Sequence, residues 1–267
     1  MPATTHALAL REAAVFLAGP ATNVIMAAAA ILIAQQHPGP LTWPLWIVSA
    51  IASYGGLTTA FPWHFDPRRR RTDGELLRQL LHHHAHANNW AALWALQGYA
   101  SMGYRPRDIP AAIVRSAASV RESTPDAAIA SLLAYYWALD SGDIDAAGVY
   151  LDRLVALADS LSTHMQPGVS AERAYFLARY RGDPAAAIAL CAAIPPGCPR
   201  VVVLRAWAAI HLAQGRPQEA ILCAEEGMQI LATDYKTQQV EDERDWLRAI
   251  IAEETTREGQ ALQASKG

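Results

Sequence analysis

Charge is nearly absent from the first part of this chain: Arg11 and Glu12 are the only charged residues between Met1 and Phe61. The rest of the 267 residues carries nearly all the acidic and basic side chains. This difference favours two domains, which we place at residues 1–87 and 88–267. The net charge of −3 is close to neutral, so composition does not indicate a nucleic-acid partner.

Cysteine is also scarce. The three cysteines, Cys191, Cys198 and Cys223, include no Cys-x-x-Cys pair and stand in apolar or turn contexts. This pattern argues against a disulfide framework and against a zinc knuckle. We expect buried thiols in a reducing compartment.

Two long charge-free runs occupy the first domain. Residues 13–34 would form a helix of about 33 Å, which matches the hydrocarbon thickness of a bilayer. Residues 41–61 form the second run, with Trp43, Trp46 and Trp63 near its ends, where an interfacial aromatic belt would lie. The turn-rich segment 35–40 separates the runs. We predict a two-span transmembrane hairpin; the alternatives are a signal peptide and a buried hairpin of a soluble protein.

Basic residues predict the orientation of this hairpin. Arg68–Arg71 follow the second span, whereas the loop at 35–40 contains no Lys or Arg. Because positive charge accumulates on the cytoplasmic side, both termini should be cytoplasmic. The expected location is a bilayer of the bacterial inner-membrane type.

Two short motifs flank the second run. Gly19-Pro20-x-x-Asn23 lies in the first span, and Asp73-Gly74 follows about fifty residues later. An amide such as Asn23 needs a partner in hydrocarbon, and a bond to a neighbouring helix would suffice. Asp73 precedes an apolar-periodic run, where a carboxylate can serve as a helix N-cap.

This pairing resembles the second half of the core of site-2 proteases, which are intramembrane zinc metalloproteases. The resemblance implies that Asp73 is the third zinc ligand, after two histidines of an upstream His-Glu-x-x-His helix. That motif does not occur in the 267 residues, and relatives often have Asn-x-x-Pro where this chain has Thr59-Ala60-Phe61-Pro62. Zinc is therefore expected only with an upstream His-Glu-x-x-His, and the chain is expected to be a shortened form or a remnant that keeps its anchor.

A histidine cluster offers a second metal hypothesis. His82 and His86 are four residues apart and could chelate a metal on one helix, and His64 is a further imidazole. The glutamate needed as a base does not follow His82. A solvated helix end, where cations suit the dipole, is the favoured interpretation.

The second domain contains a spaced self-similarity. Residues 134–142, 174–182 and 207–215 align on their terminal glycines, and an alanine follows each glycine five residues later. The repeat-packing residues are Gly142, Ala147, Gly182, Ala187, Gly215 and Ala220. The pattern resembles tetratricopeptide repeats, and the alternative is a generic helical bundle. A charged helix over 241–263 should cap the array.

The predicted fold class is therefore all-α, a membrane hairpin followed by a tetratricopeptide-like domain. The first function hypothesis is a metalloprotease-like protein that is catalytically incomplete, with no catalytic residues of its own. The second is a membrane-anchored module that binds a protein or peptide on its repeat surface.

Overall fold

The computed structural model describes residues 5–61, 72–82, 84–121, 123–234 and 241–264. Within these ranges the regular structure is entirely helical, which confirms the all-α prediction. The chain divides into two compact units, Met1–Ala95 and Leu96–Gly267. The boundary lies inside a helix, α4 (His84–Ser101), and not at Asn88 where the composition changes.

The first unit contains α1 (Thr5–Gln36), α2 (Thr42–Ala60), α3 (Asp73–His82) and the start of α4. Among the described residues, one helical segment, Ala13–Gln36, is long and apolar enough to cross a membrane. It coincides with the first predicted span. The second predicted span forms α2 but does not meet the same measure of length and hydropathy.

Helices α1 and α2 pack against each other through small side chains. The buried positions along this seam are Ala27, Ala30, Ala34, Ser49, Ala52 and Gly56. Large apolar side chains of the same helices point outward; Ile25 is 67% exposed and Ile51 is 67% exposed. Small residues let the two backbones approach closely, so the seam fixes the pairing of α1 with α2.

Arg68–Arg71, which would orient the hairpin, lie outside the described residues, and so does Trp63 of the expected aromatic belt. The predicted cytoplasmic position of both termini stays a prediction.

Among its described residues, the second unit continues with eight further α-helices after α4. They are α5 (Ala111–Ala118), α6 (Pro125–Asp140), α7 (Ile144–Ala156), α8 (Gln166–Phe176), α9 (Pro184–Ala192), α10 (Arg200–Ala213), α11 (Pro217–Asp234) and α12 (Glu241–Ala264). A π-helical turn, Leu177–Arg181, extends α8. Three helix pairs result, α6/α7, α8/α9 and α10/α11.

A glycine in the left-handed conformation separates the helices of each pair. The φ angles are 77° at Gly142, 64° at Gly182 and 70° at Gly215, values that glycine adopts without steric cost. Asp143 and Asp183 then cap the following helices, since their side chains accept hydrogen bonds from the backbone N–H groups of residues 146 and 186. The glycine–polar dipeptide thus ends one helix and starts the next.

The alanine that follows each glycine lies in the helix-pair interface. Ala147, Ala187 and Ala220 each have no exposed surface. One hydrophobic cluster spans the first two pairs and reaches α10, and a second joins α10, α11 and α12. The repeat units therefore share a continuous core, while membership of the tetratricopeptide class remains a prediction.

Candidate functional site

Thr72, the residue before α3, positions Asp73. The Thr72 hydroxyl donates a hydrogen bond to the Phe61 carbonyl oxygen at 2.8 Å, and it accepts the Glu75 backbone N–H at 3.4 Å. Thr72 therefore occupies the N-cap position that we considered for Asp73, and α3 begins at Asp73. The Asp73 carboxylate is left to face α1.

Asp73 lies against the glycine of the Gly19-Pro20-x-x-Asn23 motif. A Cβ atom at Gly19 would lie 3.2 Å from Asp73 Oδ2, which is tighter than most side-chain contacts. Glycine at position 19 thus makes room for the carboxylate beside the α1 backbone. The two motifs, separated by more than fifty residues in sequence, meet in one place.

Asn23 packs against a pair of glycines on α2. A Cβ atom at Gly55 would lie 3.4 Å from Asn23 Nδ2, and one at Gly56 would lie 3.3 Å from Asn23 Cβ and 3.7 Å from the Pro20 carbonyl oxygen. The motif on α1 therefore crosses α2 at its Gly-Gly step. The sequence analysis did not single out Gly55 and Gly56, although a glycine pair within a charge-free helix is a signal of close helix contact.

Gly74 is required by an even closer backbone approach. A Cβ atom there would lie 1.7 Å from the Ala60 carbonyl oxygen, a distance that no side chain can occupy. The Asp-Gly dipeptide therefore combines a carboxylate with a residue that lets α3 start against the end of α2.

A second carboxylate lies close to Asp73 in sequence. Glu75 is 1% exposed, and Arg78 donates two hydrogen bonds to it at 2.9 and 2.8 Å. The fork of the guanidinium matches the carboxylate geometry, so this buried charge is balanced within α3. Glu75 is not among the residues predicted to form a site.

The histidine cluster is only partly described. His82 is the last described residue of α3, residue 83 lies outside the described residues, and His86 is in α4. Their side chains and His64 lie outside the described residues. In the part of the chain that the structure describes, no group of three His, Cys, Asp or Glu side chains is arranged to hold a metal ion.

The second unit contains a site that the sequence analysis missed, a buried cluster of charged residues. Arg205 of α10 has no exposed surface, and one of its terminal nitrogens, Nη2, lies 2.6 Å from both carboxylate oxygens of Glu172 on α8. The Tyr136 hydroxyl on α6 donates to Glu172 Oε1 at 2.7 Å. The first helices of all three pairs thus contribute to one polar network.

Helix α12 supplies the remaining members of this cluster. Glu243 Oε2 lies 3.0 Å from Arg205 Nη1, and the Arg205 guanidinium stacks 4.6 Å from the Trp246 ring and 4.4 Å from the Tyr175 ring. Burial raises the pKa of Glu243 to about 8 despite the neighbouring Arg205. The negative charges of Glu172 and Asp242 raise the Glu243 pKa further.

A cavity of about 340 Å³ opens beside the cluster. Its lining includes the aromatic residues Tyr104, Tyr136 and Trp246 together with the acidic residues Asp242 and Glu243. Glu243 Oε1 is buried without a hydrogen-bond partner. Burial also raises the pKa of Asp242.

Both buried charges stand in apolar contexts that could have marked them. Arg205 interrupts the apolar run 201–210, and Glu172 precedes Ala174 and Tyr175 of the second aligned segment. A charge inside a predicted apolar helix face requires a partner, and two such charges of opposite sign indicate a pair. The pairing itself needs the packing of α8 against α10.

The cysteines have mixed environments. Cys191 is buried, whereas Cys198 and Cys223 are partly exposed, and all three are free thiols. The prediction of three buried thiols is therefore correct for Cys191 alone. Burial raises the pKa of Cys191 to about 11, so its thiol stays protonated at neutral pH.

The comparisons with known proteins add no identity to these sites. No protein-family model, curated protein or solved structure matches the chain. The functional argument therefore depends on the α1–α3 junction and on the buried cluster of the second unit.

Proposed function

We propose that this chain is a membrane protein whose first unit has the arrangement of the second half of a site-2 protease core, without a complete catalytic centre. The observation that carries the proposal is the contact of Asp73 with Gly19. The family resemblance implies that these two motifs act together, and their contact in the fold supports it. The packing of Asn23 against Gly55 and Gly56 adds a second contact, between the motif on α1 and the glycine pair on α2.

The packing of α1 with α2 supports a membrane setting for both helices. In a water-soluble hairpin the large apolar side chains would mostly be buried. Here the small residues Ala30, Ala52 and Gly56 are buried, whereas Leu57 is 69% exposed and Ile25 is 67% exposed. Lipid tails would cover these apolar side chains, and small residues at the helix interface are typical of membrane packing.

The described residues do not form a zinc site by themselves. Asp73 supplies one carboxylate, and the structure shows no pair of imidazoles beside it. A catalytic zinc site needs three protein ligands and a positioned base. We therefore derive no catalytic step for this chain, and Asp73 is proposed as one ligand that a His-Glu-x-x-His helix would complete.

A cross-linking experiment tests the contact between Asp73 and Gly19. In a variant with serine at the three native cysteine positions, the pair Gly19→Cys/Asp73→Cys should be joined by a short bifunctional thiol reagent, because the Asp73 carboxylate lies against the Gly19 position. The matched control Gly39→Cys/Asp73→Cys should not, because Gly39 lies beyond the far end of α1. Equal cross-linking of both pairs, or none in the first, would contradict the arrangement.

Reporter fusions test the membrane hairpin separately. Fusions after Gly39 and after Gly74 should report opposite sides of the membrane, since one span, α2, separates them. If both fusions report the cytoplasm, or if the chain stays in solution without detergent, the hairpin is wrong.

Peptidase assays and zinc analysis test the catalytic part of the proposal. The purified 267-residue chain should retain no zinc and cleave no membrane-embedded substrate, and zinc-dependent turnover would overturn the assignment. In a form that supplies His-Glu-x-x-His, Asp73→Asn should sharply reduce activity, whereas His82→Ala and His86→Ala should leave it nearly intact.

The second candidate function is a tetratricopeptide-like module that binds a protein segment. It is favoured by the three helix–glycine–helix pairs and by the cavity that residues of α6, α10 and α12 line. Stacked pairs of this kind produce extended inner surfaces that bind peptides. This role is independent of catalysis in the first unit.

A further inference from the structure

We infer that the cavity bounded by Tyr104, Tyr136, Trp246, Asp242 and Glu243 binds an organic cation, an ammonium or guanidinium group on an apolar stem. The inference deepens the proposed binding role of the helical unit and rests on it for the source of the ligand. It does not depend on the proposed membrane core.

The charge balance of the site favours a cation. Arg205 is the one buried cation of the cluster among the described residues, and its Nη2 already has Glu172 at 2.6 Å. Glu243 is the second carboxyl on the same guanidinium, and Asp242 is a third acidic group that lines the cavity wall. A bound cation would balance the acidic side chains that Arg205 alone cannot.

The hydrogen-bonding state of Glu243 points in the same direction. Its Oε2 faces Arg205, whereas its Oε1 is buried and has no hydrogen-bond partner. A buried carboxyl oxygen without a partner is costly, and an N–H donor of a ligand would remove that cost. Ammonium and guanidinium groups supply donors without acceptors, which suits a wall of carboxyl oxygens.

The rest of the wall suits an apolar stem and a positive charge. Three aromatic residues line the cavity, with Leu133 and Val202 beside them. Aromatic faces attract cations, and Trp246 already stacks on the Arg205 guanidinium at 4.6 Å. A volume of about 340 Å³ accommodates a chain of several carbon atoms and excludes a folded protein element.

The protonation of Glu243 gives the proposal a specific signature. Burial and Glu172 raise its pKa to about 8 and Arg205 lowers it, with Asp242 as a further raising influence and the Tyr136 hydroxyl held by Glu172. At pH 7 the empty site therefore holds a largely neutral Glu243. A cation in contact would favour the carboxylate, so binding should release a proton.

Calorimetry with the full 267-residue chain tests the inference. Butylammonium and butylguanidinium, titrated at pH 7 in two buffers of different ionisation enthalpy, should bind and release close to one proton per ligand. 1-Butanol, a neutral molecule of similar shape, should bind at least about tenfold more weakly. Absence of binding, equal binding of butanol, or binding without proton release would overturn the proposal.

Variants locate the binding event. Glu243→Gln should weaken butylammonium binding about tenfold or more and abolish proton release, and Asp242→Asn should weaken it with proton release retained. Glu225→Gln, at an exposed position of α11, is the matched control and should change neither quantity. Butylammonium binding that is unchanged in both cavity variants would overturn the assignment.

Two ligand arms distinguish the sources of the cation. A blocked lysine dipeptide that binds more tightly than butylammonium would identify a peptide side chain as the ligand, in line with the interaction role. Weaker binding of the dipeptide would identify a free amine. That result would support the cation site but contradict the proposed peptide-binding function.

Discussion

Replacing Arg205 by methionine should destabilise the helical unit by about 3–5 kcal/mol, the usual cost of removing one partner of a buried ion pair. Arg205 has no exposed surface, and its guanidinium faces Glu172 at 2.6 Å and Glu243 at 3.0 Å. Methionine keeps an apolar contact surface for the Tyr175 and Trp246 rings. The loss should therefore come mainly from charge and only slightly from packing.

A double-mutant cycle separates these two contributions. Glu172→Gln in the Arg205→Met background removes the carboxylate that lost its cation, while the amide oxygen still accepts the Tyr136 hydroxyl. The double variant should recover most of the lost free energy of unfolding, since neutral replacement of a whole buried pair is often nearly neutral. Urea unfolding of the full chain, followed by tryptophan fluorescence, measures all four corners of the cycle.

The pH dependence of the Arg205→Met penalty is the sharpest check. An uncompensated buried carboxyl favours its protonated form, so the penalty is small below the unfolded-state pKa of about 4.3 and grows as pH rises. The variant should therefore be closer to the parent chain at pH 5 than at pH 8. A penalty below about 1 kcal/mol, or one that is equal at both pH values, would refute the electrostatic account.

Three further predictions address other parts of the chain. The free energy of unfolding should fall between pH 4.5 and about 8, because native Glu243 keeps its proton in that range whereas the unfolded glutamate loses it. Glu243→Gln should remove this fall. Urea midpoints measured as a function of pH test this, and an unchanged slope would contradict the raised pKa. Gly74→Ala should lower the free energy of unfolding by about 1–3 kcal/mol because its Cβ would meet the Ala60 carbonyl oxygen. The control Gly39→Ala has open space around it and should leave the melting temperature in detergent unchanged. Equal effects of the two substitutions would contradict the close contact. Ala187→Leu should also cost about 1–3 kcal/mol by overpacking, against under about 0.5 kcal/mol at exposed Glu225, and similar melting temperatures for the two variants would speak against the helix-pair packing.

Local signals in the sequence were sufficient for the helical pairs of the second unit. Glycine adopts the left-handed backbone conformation without steric cost, and the aspartate after it caps the next helix. Gly142-Asp143 and Gly182-Asp183 therefore mark helix boundaries through local preferences. The alanine five residues later is small because two helices approach there. The glycine and aspartate preferences act within one turn of a helix.

The long apolar helix of the first unit was also predictable from the sequence, because a charge-free run of this length has few stable environments, and the two motifs could be recognised by their residues. Their contact was not readable from local physics. Asp73 reaches Gly19 only because Thr72 takes the N-cap position and Gly74 lets α3 start against Ala60.

The buried cluster was decided by tertiary structure. Glu172, Arg205 and Glu243 lie on α8, α10 and α12, and in sequence each is one charged residue among many. Their pairing, the raised pKa of Glu243 and the cavity beside it arise when three distant helices exclude water from the same volume. A one-dimensional pattern records which residues are charged and apolar, but desolvation depends on what surrounds a group in space, and that is set only when the helices pack.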